Sequence, residues 1–424
     1  MSTTTTPAPS APTPPVEEAH KETLGTIARD YVTKVRGGDV GSLPAVLGLI
    51  FLVIVFTSLR GETFTNQFNF ANLFNQSAGV MVIAMGLVFV LLLGEIDLSA
   101  GFTAGTCAAV IGVCATERGW PWYLAILAGI ATGAVIGLLI GLLVARLGIP
   151  SFVVTLAAFL GLQGVMLLII GEGGTIPYRD DKLLAIMNKN LPVWLGWTLC
   201  IVGILAYGLV TYLRVKRRLD AGLGGGSLQL WALKTGAVAV VLLWMTYYFN
   251  LERSRNPALI SLKGVPIVVV ILFGLLVVLT FMLSRTAWGR HVYAVGGNAE
   301  AARRAGIAVA QVKLSCFMMC SSLAAVAGLL IASRDNSVSP STGGSLTLLY
   351  AVGAAVIGGT SLFGGKGRIM DAVIGGLVIA VINNGMLMLD QPSGRVYLVT
   401  GLVLLLAASV DAISRRKARA SGRV

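Results

Sequence analysis

Residues 285–307 read RTAWGRHVYAVGGNAEAARRAGI and stand between two apolar runs, 264–283 and 314–332. About 20 consecutive apolar residues let a helix cross hydrocarbon, so this polar stretch joins two membrane spans. Within it Asn298 is a good N-cap, because its side-chain oxygen can accept a free backbone N–H of the first turn. Glu300 falls near the positive end of the helix dipole, and Arg303 and Arg304 near the negative end. Gly306 can take the left-handed conformation that closes a helix. The expectation is a short, Ala-rich, capped helix over 299–305, outside the bilayer. A plain connection needs only a few residues, so a capped helix here points to something that docks on it.

Working outward, the whole chain has the same apolar character. Its 424 residues are 56% hydrophobic and 12% charged, with a mean hydropathy of +0.83, whereas soluble domains carry roughly a quarter charged residues. The fold class is an all-α polytopic integral membrane protein. Candidate spans fall at 43–59, 72–93, 98–116, 121–145, 150–170, 193–213, 231–249, 264–283, 314–332, 345–361, 371–389 and 396–413. The pieces at 98–116 and 345–361 are short and Gly-rich and read as possible half-helices, which leaves about 10–12 transmembrane helices. A net charge of +13 in such a chain fixes loops on the cytoplasmic side and does not imply nucleic acid. Placing the N-terminus inside puts most of the 32 basic residues inside. Both termini and the 284–313 loop then lie in the cytoplasm.

The ends of the chain differ in character. Residues 1–15 are rich in Thr, Pro, Ala and Ser and read as disordered. Leu24, Ile27, Ala28, Tyr31, Val32 and Val35 share one face of a helix, an amphipathic element on the cytoplasmic membrane surface. The expected division is therefore 1–42 as tail and surface helix, 43–414 as membrane domain, and 415–424 as a basic cytoplasmic tail. The stretch 220–227, DAGLGGGS, reads as a flexible connector.

Two Gly-rich stretches interrupt the apolar runs. GEIDLSAG at 94–101 carries Glu95, Asp97 and Ser99 at the end of a span, and charge at membrane depth usually marks function, though an interfacial position is the plainer reading. GGTSLFGG at 358–365 resembles it, with Gly94, Leu98 and Gly101 aligning on Gly358, Leu362 and Gly365, as in the internal repeats of transporters. Gly364-Gly365-Lys366-Gly367 lacks the spacing of a phosphate loop, since Thr360 stands where Gly is needed and Gly367 follows Lys366. Gly129, Gly133, Gly137 and Gly141 recur every four residues, a smooth stripe for close helix packing. The five cysteines all fall in apolar runs and read as packing residues, with no metal site and no disulfide. Gln76, Thr155, Gln163, Asn383 and Asn384 place amides and a hydroxyl inside spans. Such groups suit a neutral polyhydroxy solute, and no ladder of buried charges marks a proton pump.

The stretches GEIDLSAG (94–101), IPSFVVTLA (149–157), GRHVYAVGGNAEAARRAGI (289–307) and VIGGTSLFGG (356–365) together resemble the permease family of bacterial monosaccharide ABC importers, the ribose, xylose and arabinose type. The resemblance covers 70–414. Two extra spans around 214–230, and NNGM at 383–386, make the chain most similar to the xylose-type permeases. The resemblance implies an ABC importer permease fold with no catalysis or cofactor of its own, in the bacterial inner membrane. It implies a cytoplasmic ABC ATPase subunit, a periplasmic sugar-binding protein, a second permease copy and membrane lipid as partners, and no nucleic acid. It assigns ATPase coupling to Arg290, Tyr293, Gly296, Asn298, Glu300, Ala301, Ala302, Arg303 and Gly306. The translocation pathway is expected to use Gln76, Glu95, Asp97, Ser99, Thr155, Gln163, Asn383 and Asn384. Glu95 departs from the family, in which many members have Gly. A self-sufficient secondary sugar transporter is the alternative, and it would need no docking helix.

Overall fold

The computed structural model describes Thr33 and residues 41–221, 227–254, 256–258 and 261–420. The expected tail and surface helix, and most of the 220–227 connector, lie outside the described residues. Helices make up nearly all of the rest. In order they are α1 (Leu43–Arg60), α2 (Glu62–Thr65), α3 (Gln67–Leu92), α4 (Ala100–Gly112), α5 (Trp122–Ala145), α6 (Ser151–Ile170), α7 (Asp181–Asn188), α8 (Val193–Asp220), α9 (Leu228–Asn250), α10 (Ile267–Arg285), α11 (Ala287–Gly297), α12 (Ala299–Arg304), α13 (Val309–Asp335), α14 (Ser345–Gly358), α15 (Ile369–Met388) and α16 (Ser393–Ala420). A wider π turn, Val113–Glu117, extends α4. Among the described residues eleven helices are long and apolar enough to cross a membrane, counting α4 with its π turn. α14, with 14 residues, is the shorter apolar helix, so of the two expected half-helices only this one stays short.

The chain falls into two compact units. In the smaller, 198–244, the Trp231 indole N–H donates to the Gly208 carbonyl at 3.1 Å and to Thr211 Oγ1 at 3.0 Å, and Tyr212 lies against the Trp231 ring. These contacts join α8 to α9.

The larger unit is centred on α3, α4, α13 and α15. Residues 81–85 of α3 are completely buried, whereas α1, α6 and α16 present Phe51, Leu168 and Leu406 outward, at 64%, 87% and 66% exposure. An apolar outer face beside a buried core is the pattern a lipid solvent requires, since lipid is no penalty for Leu or Phe. The glycine stripe on α5 packs as expected. A Cβ at Gly133 would lie 2.5 Å from the Ser321 carbonyl oxygen, and one at Gly137 would lie 2.6 Å from Met318 Cα. α5 and α13 thus touch backbone to backbone.

α14 begins against the first turn of α4. A Cβ at Gly101 would lie 2.8 Å from the carbonyl oxygens of Gly343 and Gly344, and Gly343 has φ +74° with Gly101 O 2.5 Å from its virtual Cβ. Only glycine permits that approach and that φ. Beyond the far end of α4, where a Cβ at Gly112 would lie 3.0 Å from the Ile176 side chain, a two-residue antiparallel ladder pairs β1 (Ile176–Pro177) with β2 (Ser337–Val338).

Candidate functional site at a three-way glycine junction

Three segments meet at one end of the larger unit: the end of α3 with residues 93–99, the C-terminal half of α11, and the loop 359–368. The Gly365 N–H donates to the Leu92 carbonyl at 2.9 Å. Gly94, Gly364 and Gly365 all have positive φ, at +74°, +83° and +74°. A Cβ on Gly364 would lie 2.9 Å from the Gly94 nitrogen and from the Gly296 oxygen. The two similar Gly-rich stretches therefore meet in space. Gly296 closes the junction, since a Cβ there would lie 1.8 Å from the Leu92 oxygen and 3.0 Å from the Gly365 nitrogen. Tyr293, one turn earlier on α11, donates its hydroxyl to the Gly367 carbonyl at 2.7 Å. Burial, and the nearby Asp371 carboxylate, push its phenol above the usual range.

α11 is a helix the sequence reading did not identify. Thr286 caps it, its hydroxyl oxygen accepting the Gly289 N–H at 3.1 Å. The signal was present: Thr286 stands three residues before Gly289, and Val292 and Val295 fall on one buried face. Trp288 anchors this helix, donating to Ser315 Oγ at 2.8 Å and lying 5.5 Å from the Phe89 ring. The next helix, α12, runs 299–304, one residue shorter than expected. Asn298 Oδ1 accepts the Ala301 N–H at 2.9 Å, Glu300 pairs with Arg303 at 2.9 Å and Arg304 at 3.4 Å, and Gly306 has φ +82°. Arg290, Glu300, Ala301 and Arg303 are exposed. Ala302 is not: at 5% exposure it faces its own chain.

Residues 94–99 link this surface to the core. Glu95 forms an ion pair with Lys313 in the first turns of α13, which gives a partner to the residue that departs from the family pattern. Asp97 and Ser99 are fully buried. Asp97 Oδ1 accepts the Ser99 N–H at 2.9 Å and its hydroxyl at 2.6 Å, which places a carboxylate beside the positive end of α4. Thr155, also buried, donates to the Ser151 carbonyl at 2.8 Å and lies 3.2 Å from that of Ile96.

The remaining expected pathway residues are not gathered here. Asn384 lies toward the other end of α15, in a buried reciprocal amide pair with Asn69 of α3, at 2.9 and 3.0 Å. Asn69 was missed because it precedes the apolar run from which the span was read. Asn383 is half-buried beside Tyr350. Gln76 is half-buried, and its main-chain carbonyl accepts from Arg334 at 3.1 Å. Gln163 is half-buried on α6.

Residues 69–408 match the family described as branched-chain amino acid transport system / permease component. The chain is 35% identical to the xylose transport system permease protein of Escherichia coli over 372 residues, 88% of this chain and 92% of that protein. It is 33% identical to the protein of the same name in Haemophilus influenzae, over 88% of this chain and 96% of that one. The ribose import permease protein of Bacillus subtilis is 31% identical, with 88% and 94% covered. No solved structure matches the chain.

Proposed function

Because the chain belongs to the branched-chain amino acid transport system / permease component family, we propose that it forms the membrane pathway of an ATP-binding-cassette importer for xylose or a similar pentose. The observation that carries this reading is α12. It is a capped, charged helix that stands outward from a junction holding the ends of α3, α11 and the 359–368 loop. A separate ATPase subunit docks on it. Force on α12 passes through Gly296 and Tyr293 into the two Gly-rich turns, and through the turn at Gly306 into α13, whose Lys313 holds Glu95. A second copy of the chain and a periplasmic sugar-binding protein complete the importer.

The junction faces the cytoplasm in this reading, because Arg146, Arg285, Arg290, Arg303, Arg304, Lys313, Lys366 and Arg368 all belong to that end. Asn383 and Asn384 belong to the opposite half of the pathway and offer amides to a polyhydroxy solute.

The test is copurification with the ATPase subunit and xylose-stimulated hydrolysis in reconstituted vesicles. Glu300→Arg and Ala301→Trp change only exposed groups and are expected to detach or uncouple the ATPase. A misfit side chain in a packed interface costs about 1–3 kcal/mol. Concentrative xylose uptake driven by an ion gradient, with no ATPase present, would establish the secondary transporter instead. A cysteine at the exposed Gly297 is expected to be shielded from an impermeant thiol reagent in intact cells, and one at Gly61 to react.

A further inference from the structure

A groove of about 500 Å³ lies between the end of α5 and the turn that joins α12 to α13. Arg146, Gly148, Arg303, Ala308, Gln311 and Lys313 are among the residues that line it. Its two sides are packed together beneath it, since a Cβ at Gly141 would lie 3.0 Å from Leu314 Cα. Basic side chains reach it from α5, α12 and α13, and among its described lining residues none is acidic. Two of those charges are already answered. Arg303 and Arg304 share Glu300, and Lys313 pairs with Glu95. Arg146 is different. It ends α5, where its N–H donates to the Leu142 carbonyl at 2.9 Å, but its guanidinium has no hydrogen-bond or ion-pair partner among the described residues. It is half-buried. No side chain caps the neighbouring first turn of α13, which lines the same groove. The groove therefore holds a positive charge that its own chain does not answer.

We propose that this groove receives one acidic side chain of the ATPase subunit, its carboxylate paired with the Arg146 guanidinium. The inference rests on the reading that an ATPase docks on α12, and it adds the chemistry of the group that the ATPase must bring. One wall of the groove belongs to α12 and the turn behind it, so a subunit seated on α12 covers the mouth. Covering takes Arg146 out of water, and a charge buried without a counter-charge is strongly destabilising. The guanidinium offers a fork of N–H donors that a carboxylate can meet with two bonds. The α12 wall favours this occupant over a lipid headgroup, since α12 is an exposed, charged helix outside the spans. The pair also ties the end of α5 to the docked subunit. Because α5 lies backbone to backbone against α13, force then enters the membrane domain at a second point, besides the turn at Gly306.

The experiment measures binding of the purified ATPase subunit to the full-length permease in nanodiscs, once with phosphatidylcholine alone and once with phosphatidylglycerol added. Arg146→Gln should weaken binding about tenfold, the loss expected for a hydrogen bond to a charged group, and equally in both lipid mixtures. Arg146→Lys should recover part of the loss. Raised salt should weaken the wild type more than Arg146→Gln. Arg118→Gln, an exposed arginine beyond the other end of α5, should change nothing. Arg146→Lys also permits a direct test, because a carbodiimide condenses its amine with a carboxylate that it touches, the reagent taking up the water. The new amide bond should join position 146 to an Asp or Glu of the ATPase. Binding weakened by Glu300→Arg but not by Arg146→Gln would overturn this inference and leave docking on α12 intact, whereas a wild type that binds no ATPase would overturn both. A loss in Arg146→Gln seen only with phosphatidylglycerol would overturn it too, and would assign the groove to a lipid headgroup. A cross-link from position 146 confined to the permease itself would likewise overturn it.

Discussion

Gly296→Ala is the sharpest test of the three-way junction, and its neighbour supplies the control. The added carbon would start 1.8 Å from the Leu92 oxygen, whereas ordinary contact begins at 3.4 Å. The obstacle is backbone at the end of a buried helix, so no rotamer change relieves it. α11 must move outward, and the added carbon also crowds the Gly365 to Leu92 hydrogen bond, lying 3.0 Å from the Gly365 nitrogen as well. Overpacking costs about 1–3 kcal/mol, and the strained hydrogen bond adds about 0.5–1.5 kcal/mol. The expected loss is therefore roughly 1.5–4.5 kcal/mol, offset by up to about 1 kcal/mol because Ala favours a helix over Gly. Gly297→Ala has the same helical gain and meets nothing within 4 Å, so it should be neutral or slightly stabilising. The assay is thermal unfolding of the purified protein, paired with xylose uptake in cells. Gly296→Ala should melt several degrees lower and lose uptake, and Gly297→Ala should do neither. Equal melting and equal uptake for the two variants would refute the claim that the turns are locked through Gly296.

The ion pair between Glu95 and Lys313 is half-buried, so Lys313→Glu should cost more than a surface pair, roughly 1–3 kcal/mol. Adding Glu95→Lys should restore part of it in a double-mutant cycle of thermal stability. Asn384→Leu should cost about 0.6–1.7 kcal/mol, the range for amides bonded between membrane helices. Asn69→Leu in the same chain should then cost less than it does alone, as judged by the same melts. Glu252, outside the spans, accepts N–H bonds from Ser254 and Leu262 and a bond from the Ser261 hydroxyl, which hold its carboxyl down at about 2. Its folded value is depressed, so its contribution is complete above the ordinary value of 4.5 and is lost as pH falls through about 2. Protection of the Ser254 and Leu262 amides, taken as the exchange rate relative to free peptide at each pH, should hold from about pH 7 to 5 and fall as pH drops from 4.5 towards about 2, whereas in Glu252→Gln it should be lower throughout and constant with pH.

Much of this protein is legible along the chain because the bilayer is a strict solvent. A backbone in hydrocarbon must satisfy itself, so apolar length alone marks the spans, and among the described residues eleven helices of that kind are found where the apolar runs lie. Local capping is equally readable. Asn298, Glu300 and Gly306 act within one or two turns, and the helix they predict is present to within a residue. The same local capping marks α11, where Thr286 accepts the Gly289 N–H, but the helix is half-polar and carries no apolar run.

What no linear reading supplied is which distant groups meet. Glu95 and Lys313 are 218 residues apart, and Asn69 and Asn384 are 315 apart. The alignment of GEIDLSAG with GGTSLFGG showed likeness, but their backbone contact arises from the packing of α3, α11 and α14. Ala302 illustrates the limit at short range. Its place on α12 follows from the sequence, yet whether it faces a partner or its own chain depends on where α13 stands. Spans and caps are set by a residue's solvent and by its neighbours within four positions. Pairings are set by the helix packing that brings remote backbones within van der Waals reach, and only the folded chain contains that.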